Sequence, residues 1–136
     1  MPRHIPTRFP AVPTDAVALL TGANYRTAES VSDIINWCLT MFGKLRQGES
    51  LYWVPTGSQT PARILITPVT SPQTGRITAD LTPVAWTSLA SRRQEWRCED
   101  DDALARMAWL APYFDRKDGR LACSSSPRMA HMRYIT

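Results

Sequence analysis

The sequence is poor in the residues that build metal sites. Its 136 residues include only three cysteines and two histidines. No two cysteines form a Cys-x-x-Cys pair, and the histidines, His4 and His131, lie near opposite ends of the chain. A structural zinc site needs four clustered Cys or His ligands, so we expect no metal site. Isolated cysteines in odd number are typical of free thiols in a reducing cytoplasm.

Motifs of catalysis are also missing. The chain has no Gly-rich phosphate loop, no His-Glu-x-x-His and no nucleophile elbow. The acidic run at residues 99–102 lacks the alternating ligands and interior glycine of a calcium loop, and acidic residues are common at helix starts. We therefore expect no catalytic residues, no metal and no cofactor.

Long apolar runs are absent as well. No stretch of about 18 apolar residues occurs, and the first residues lack the apolar core of a secretory signal. These features predict a cytoplasmic protein that does not enter a membrane.

Lysine is scarce, so arginine carries most of the positive charge. Of the 16 basic residues only Lys44 and Lys117 are lysines, and the net charge is +4. Guanidinium groups suit the recognition of phosphates and carboxylates, although an arginine-rich composition also follows from codon usage. A charge of this size permits nucleic-acid binding without requiring it.

The clearest pattern present is a helical one over residues 30–45. Apolar residues recur there at spacings of three and four, which predicts one long amphipathic helix that buries one face. Its apolar positions are Val31, Ile34, Ile35, Cys38, Leu39, Phe42 and Leu45.

The rest of the chain favours strands with fewer helices. Aromatic and β-branched residues separated by turn residues predict strands over 51–54, 62–69, 75–81 and 94–98, and an Asp-Gly turn predicts a hairpin of 113–116 with 120–123. Residues 102–111 have a shorter helical pattern. We expect an α+β fold with a mainly antiparallel sheet of four to six strands. The long helix would pack on one face of this sheet, with one or two shorter helices.

Four prolines near the amino terminus divide the chain into an arm and a single domain. Their spacing of three or four residues predicts a polyproline-like, extended arm over residues 1–13, followed by one α+β domain over 14–136. The arm either packs on its own domain through Phe9 and Val12 or docks a partner with Arg3 and Arg8.

Arginines beside aromatic residues are the strongest functional signal. We expect a small cytoplasmic, non-catalytic binding protein that docks a protein or nucleoprotein partner, a type common among accessory and inhibitory proteins of phages and plasmids. Arg, Trp and Tyr are enriched anchors at protein interfaces. The predicted partner-binding residues are Arg3, Arg8, Arg92, Arg93, Arg97 and Trp109.

The alternative function is direct binding of RNA or single-stranded DNA. Guanidinium groups would contact phosphates while aromatic rings stack on bases. The residues predicted for this role are Arg92, Arg93, Trp96, Arg97, Tyr113, Arg116, Lys117 and Arg120.

Overall fold

A computed structural model describes residues 4–22 and 30–136, so the predicted contact at Arg3 lies outside the described residues. The fold is α+β, as the sequence predicts. Every helix in these two ranges is too short or too polar to span a bilayer. The elements in chain order are β1 (Ile5–Pro13), α1 (Thr14–Leu20), α2 (Val31–Gly43), β2 (Ser50–Pro55), β3 (Ala62–Arg63), β4 (Thr74–Leu81), α3 (Pro83–Trp96), α4 (Asp100–Met107), β5 (Gly119–Ser124) and β6 (Arg133–Tyr134).

The strands form two sheets instead of the single sheet that the sequence predicts. The chain divides into two compact units. The first unit contains the described residues up to Gly43 together with Ile66–Asp115, and its sheet pairs β1 with β4. The second unit contains Lys44–Leu65 and Arg116–Thr136, and its sheet has the strand order β3-β2-β5-β6. One domain over residues 14–136 stays a prediction.

The proline-rich segment is a strand of the first unit. β1 pairs antiparallel with β4, with Ile5 opposite Leu81 and a register shift between Phe9 and Val12. Prolines are tolerated here because a two-stranded sheet leaves one edge of each strand without a ladder partner. Both Phe9 and Val12 are fully buried. The segment is extended, but a polyproline-like arm without backbone pairing was the wrong prediction for residues 5–13.

α2 forms where the apolar period predicts a helix, and it buries one face against α3 and β4. Its buried residues are Ile34, Ile35, Cys38, Leu39, Met41 and Phe42. The helix ends at Gly43 and has 13 residues, one fewer than α3. The description of α2 as the one long helix of the fold is therefore not confirmed.

α3 replaces the strand predicted over residues 94–98. Its start is well defined, because the Thr82 hydroxyl accepts a hydrogen bond from the Ala85 N–H at 3.1 Å and Pro83 occupies the first turn. The face that α3 buries has only one large apolar residue beside a small and a polar one, which weakens the apolar period in the sequence. These residues are Ala85, Ser88 and Leu89.

The acidic run begins α4, where carboxylates interact favourably with the helix dipole. A 3-10 helix over Ala108–Tyr113 follows directly and contains Pro112. The helix predicted over 102–111 is thus an α-helix that starts earlier and continues as a 3-10 helix.

In the second unit β2 lies between β3 and β5, and β5 also pairs with β6. The strands predicted over 51–54, 62–69 and 75–81 do not form one sheet, because β4 belongs to the sheet of the first unit and only two residues of the 62–69 segment join a ladder. The predicted hairpin is also wrong. Its first half begins in the 3-10 helix, and Cys123 of β5 pairs with Leu51 and Arg133.

Candidate functional site

A groove of about 750 Å³ runs along α3 in the first unit and reaches the start of α4. The residues that form its α3 wall are adjacent pairs that recur every three or four positions, and such positions share one face of a helix. We call it the α3–α4 groove. It is lined by Trp86, Thr87, Ala90, Ser91, Arg93, Gln94, Arg97, Cys98, Glu99 and Asp102.

The α3 wall has an apolar end and a basic end. Trp86 lies near the start of the helix with 37% of its surface exposed, and the neighbouring Val84 is also exposed. Arg93 and Arg97 lie at the other end. Arg97 lies eleven positions after Trp86. A helical rise of about 1.5 Å per residue places the two residues about 16 Å apart along the helix axis. A partly exposed tryptophan and exposed arginines on one helix are typical of a contact surface.

Arg97 ends α3 in an unusual backbone conformation. Its φ and ψ are both 51°, and no other non-glycine residue among those described has a positive φ. Its N–H donates to the Gln94 carbonyl at 3.3 Å and the Cys98 N–H donates to the Arg93 carbonyl at 3.1 Å, which is a Schellman motif. Glycine is the usual residue at this position, and a side chain there costs about 1 kcal/mol. The Arg97 guanidinium makes no hydrogen bond or ion pair within residues 4–22 and 30–136.

The wall that the start of α4 contributes to the groove is acidic. Glu99 and Asp102 line it, and neither carboxylate forms an ion pair with any described residue. Arg93 is paired with Asp100, at 3.2 Å between Nη1 and Oδ1. Between the walls, burial raises the pKa of the Cys98 thiol, which keeps the sulfur protonated at neutral pH and makes it a poor nucleophile.

Arg92, predicted for both functions, and Trp96, predicted for nucleic-acid binding, lie in the packing of the first unit instead. Only 12% of the Arg92 side chain is exposed, and its guanidinium donates to the Glu95 carboxylate and, at 2.9 Å, to the Phe42 carbonyl. Trp96 makes an edge-to-face contact with Phe42, with 5.8 Å between the ring centroids. The Arg106 guanidinium lies 5.2 Å from the centroid of the Trp96 ring. Both side chains therefore hold α3 to its neighbours.

Two predicted partner contacts of the first unit, Trp109 and Arg8, lie outside the α3–α4 groove. Trp109 donates from Nε1 to the Thr67 carbonyl at 2.8 Å and borders a second groove, of about 580 Å³, together with α1 and residues 68–70. Arg8 lies on the exposed face of β1 opposite Thr78 and lines a pocket of about 270 Å³.

The predicted nucleic-acid residues are divided between the two units. Arg92, Arg93, Trp96, Arg97 and Tyr113 belong to the first unit, whereas Arg116, Lys117 and Arg120 belong to the second. Tyr113 is half-buried in the 3-10 helix, and Lys117 is exposed.

Both arginines of the second unit in this set are engaged by neighbours in the same unit. Arg116 donates to Asp118 at 2.8 Å and lies 4.8 Å from the Trp53 ring centroid. Arg120 lies 4.2 Å from the Tyr134 ring centroid and donates from Nε to the Thr136 carbonyl at 2.8 Å.

Sequence reasoning missed Trp86 because its neighbours Ala85, Thr87 and Ser88 give no clear apolar stripe against which to judge it.

In the part of the chain that the structure describes, no three Cys, His, Asp or Glu side chains lie close enough to hold a metal ion together. No family model, curated protein or solved structure matches this chain.

Proposed function

We propose that this chain is a small, non-catalytic binding protein that docks a protein or nucleoprotein partner, and that the α3–α4 groove is its docking surface. The observation that carries the proposal is the exposed Trp86 at one end of a groove whose other end holds Arg97. Tryptophan and arginine are the side chains most often found at the energetic centre of protein interfaces.

The lining of the groove also favours a macromolecular partner over a small molecule. Pockets for small molecules are mainly apolar, with few polar groups. Apart from Trp86, Ala90 and Cys98, the side chains that line the α3–α4 groove are polar or charged. A polar surface around an aromatic anchor is the common anatomy of a protein interface.

Direct binding of RNA or single-stranded DNA is the alternative, and it has less support. The Trp96 ring already contacts Phe42 and Arg106, which limits its use as a stacking surface for bases. Glu99 and Asp102 in the groove would repel a run of phosphates. The exposed cations that favour this alternative are Arg93, Arg97, Arg116, Lys117 and Arg120.

The proposed location is the cytoplasm, and the proposed role is that of an accessory or inhibitory protein of a phage or plasmid. The location is supported by Cys38 and Cys123, which are buried as free thiols. The role is supported by the small size of the chain and by its lack of catalytic motifs.

The proposal is tested by affinity purification of the tagged full chain from a lysate of its host. Wild type, Trp86→Ala and Leu65→Ala are compared, with half of each sample treated with nuclease, and bound proteins are quantified by mass spectrometry. Leu65 is a matched control because it is a large apolar residue, 65% exposed, that belongs to the second unit. We expect a partner that survives nuclease, is retained by Leu65→Ala and is lost from Trp86→Ala.

Two results would contradict the proposal. A partner retained equally by Trp86→Ala would show that the groove is not the docking surface. Loss of all bound proteins after nuclease treatment would favour the nucleic-acid alternative, which also predicts an affinity that falls steeply with salt.

A further inference from the structure

The conformation of Arg97 points to the chemistry of the partner, if the α3–α4 groove is the docking surface proposed above. We infer that Arg97 binds one carboxylate of a partner protein. The partner segment also carries an apolar side chain that packs on Trp86, about 16 Å from the carboxylate along the groove.

Arg97 is held in a strained backbone conformation. Arg97 occupies the left-handed region, with φ 51°, at a helix end where glycine fits without cost. Residues held in such conformations are concentrated at binding sites, where the side chain has a use that glycine lacks. Arg97 lines the same groove as Trp86 and Arg93.

The ion pairs around Arg97 indicate a negatively charged ligand for its side chain. Three arginines lie together at the carboxyl end of α3, and two of them have a carboxylate partner in the first unit: Arg92 has Glu95 and Arg93 has Asp100. For Arg97 the described residues provide no such partner. Its planar fork is suited to two parallel hydrogen bonds from one carboxylate, so a carboxylate from outside the chain completes the pattern.

The acidic residues of the groove favour a protein over a polyanion as the ligand. Glu99 and Asp102 line the same groove as Arg97, and a string of phosphates along the groove would meet both carboxylates. A protein segment presents a single carboxylate to Arg97 and places neutral or basic side chains beside the acidic wall. The 16 Å span corresponds to about eleven residues of a helical segment or about five residues of an extended one.

The test uses a displayed library of random 16-residue peptides, selected on the full chain. Enriched peptides are synthesised, and their affinities are measured by fluorescence anisotropy for wild type, Trp86→Ala, Arg97→Gly, Arg97→Gln and Arg76→Gln. Arg76 is a matched control because it is an exposed arginine of β4 in the same unit, without an ion pair to any described residue.

We expect the enriched peptides to share an Asp or Glu together with an apolar residue at a fixed spacing. Arg97→Gly and Arg97→Gln should each weaken binding about tenfold or more, the loss of a charge-assisted contact, whereas Arg76→Gln should not. Arg97→Gly should also raise the melting temperature by about 2–4 °C, because glycine relieves the strain. Arg97→Gln retains the backbone strain and should not raise it.

The outcomes separate the two proposals. If Trp86→Ala weakens peptide binding but the Arg97 variants do not, the groove stands and the role of Arg97 is wrong. If all variants bind the peptides as wild type does, or no peptide is enriched, the groove is not a protein-docking site and both proposals fail. Tighter binding of a 12-nucleotide poly(U) probe than of any peptide, weakened by Arg97→Gly, would replace the carboxylate with phosphate.

Discussion

Substitution of Arg92 tests how the structure divides the arginines of α3 into packing and contact residues. The sequence places Arg92 on a partner surface, whereas the structure buries most of its side chain between α3 and the carboxyl end of α2. We predict that Arg92→Ala destabilises the protein, because Phe42 would lose the cation that caps its carbonyl.

The size of the effect follows from the contacts. A hydrogen bond from a charged donor to a carbonyl contributes about 1.5–3 kcal/mol. The ion pair with Glu95, a half-exposed partner three residues along the helix, adds at most about 0.5 kcal/mol. The expected loss is therefore about 2 kcal/mol. With an unfolding entropy near 2.1 cal/mol/K per residue, a chain of 136 residues should melt about 7 °C lower.

Circular dichroism at 222 nm, followed through thermal unfolding, measures this change. Arg93→Ala is the matched control, because Arg93 is adjacent in sequence but 46% exposed, and its pair with Asp100 is also partly exposed. The control should melt within about 2 °C of wild type. If Arg92→Ala also melts within that range, or if Arg93→Ala has the larger effect, our assignment of the two arginines is wrong.

Three further predictions concern stability. Leu39→Ala, which empties a fully buried position of α2, should cost about 2–5 kcal/mol in chemical denaturation; an unchanged midpoint would show that the core is misassigned. Gly119→Ala should cost about 1–3 kcal/mol by the same assay, because its Cβ would lie 2.6 Å from a carbonyl oxygen of β2. Gly43→Ala, whose Cβ would approach no atom closer than 3.4 Å, is its control and should cost little. A hydrogen bond from Arg133 lowers the pKa of Glu49, so this pair contributes stability above pH of about 4.5 that is lost on further acidification. Glu49→Gln should therefore melt lower than wild type at pH 7, and the difference should shrink towards pH 3; a constant difference would contradict the pairing.

Local patterns in the sequence predicted the class of the fold but not the pairing of its strands. α2 was predictable because its buried residues are large and apolar at helical spacing. α3 was not, because its buried face includes Ala85 and Ser88, and the Ser88 hydroxyl is satisfied by donating to the Leu39 carbonyl of α2. The partnership of β1 with β4 joins residues more than sixty positions apart, which no local pattern reveals.

The candidate site was predictable in part. Clustering of arginine with tryptophan indicated Arg93 and Arg97, which the structure brings into one groove. The same clustering indicated Arg92 and Trp96, but in the structure these two side chains pack against neighbouring elements. The prediction failed because sequence spacing alone does not show which side of a helix is covered by other elements. The left-handed conformation of Arg97 could not be predicted from the sequence, because the usual sequence signal for this conformation at a helix end is a glycine.

The prolines of β1 have a consequence for how copies of this chain meet one another. An exposed strand edge is a template on which a second strand assembles through backbone N–H donors. Pro6 and Pro10 have no such donor, and the N–H of Ala11 is already bonded to the Asp101 carboxylate at 3.1 Å. β1 thus offers few hydrogen bonds to an incoming strand, which protects this edge against aggregation and strand exchange.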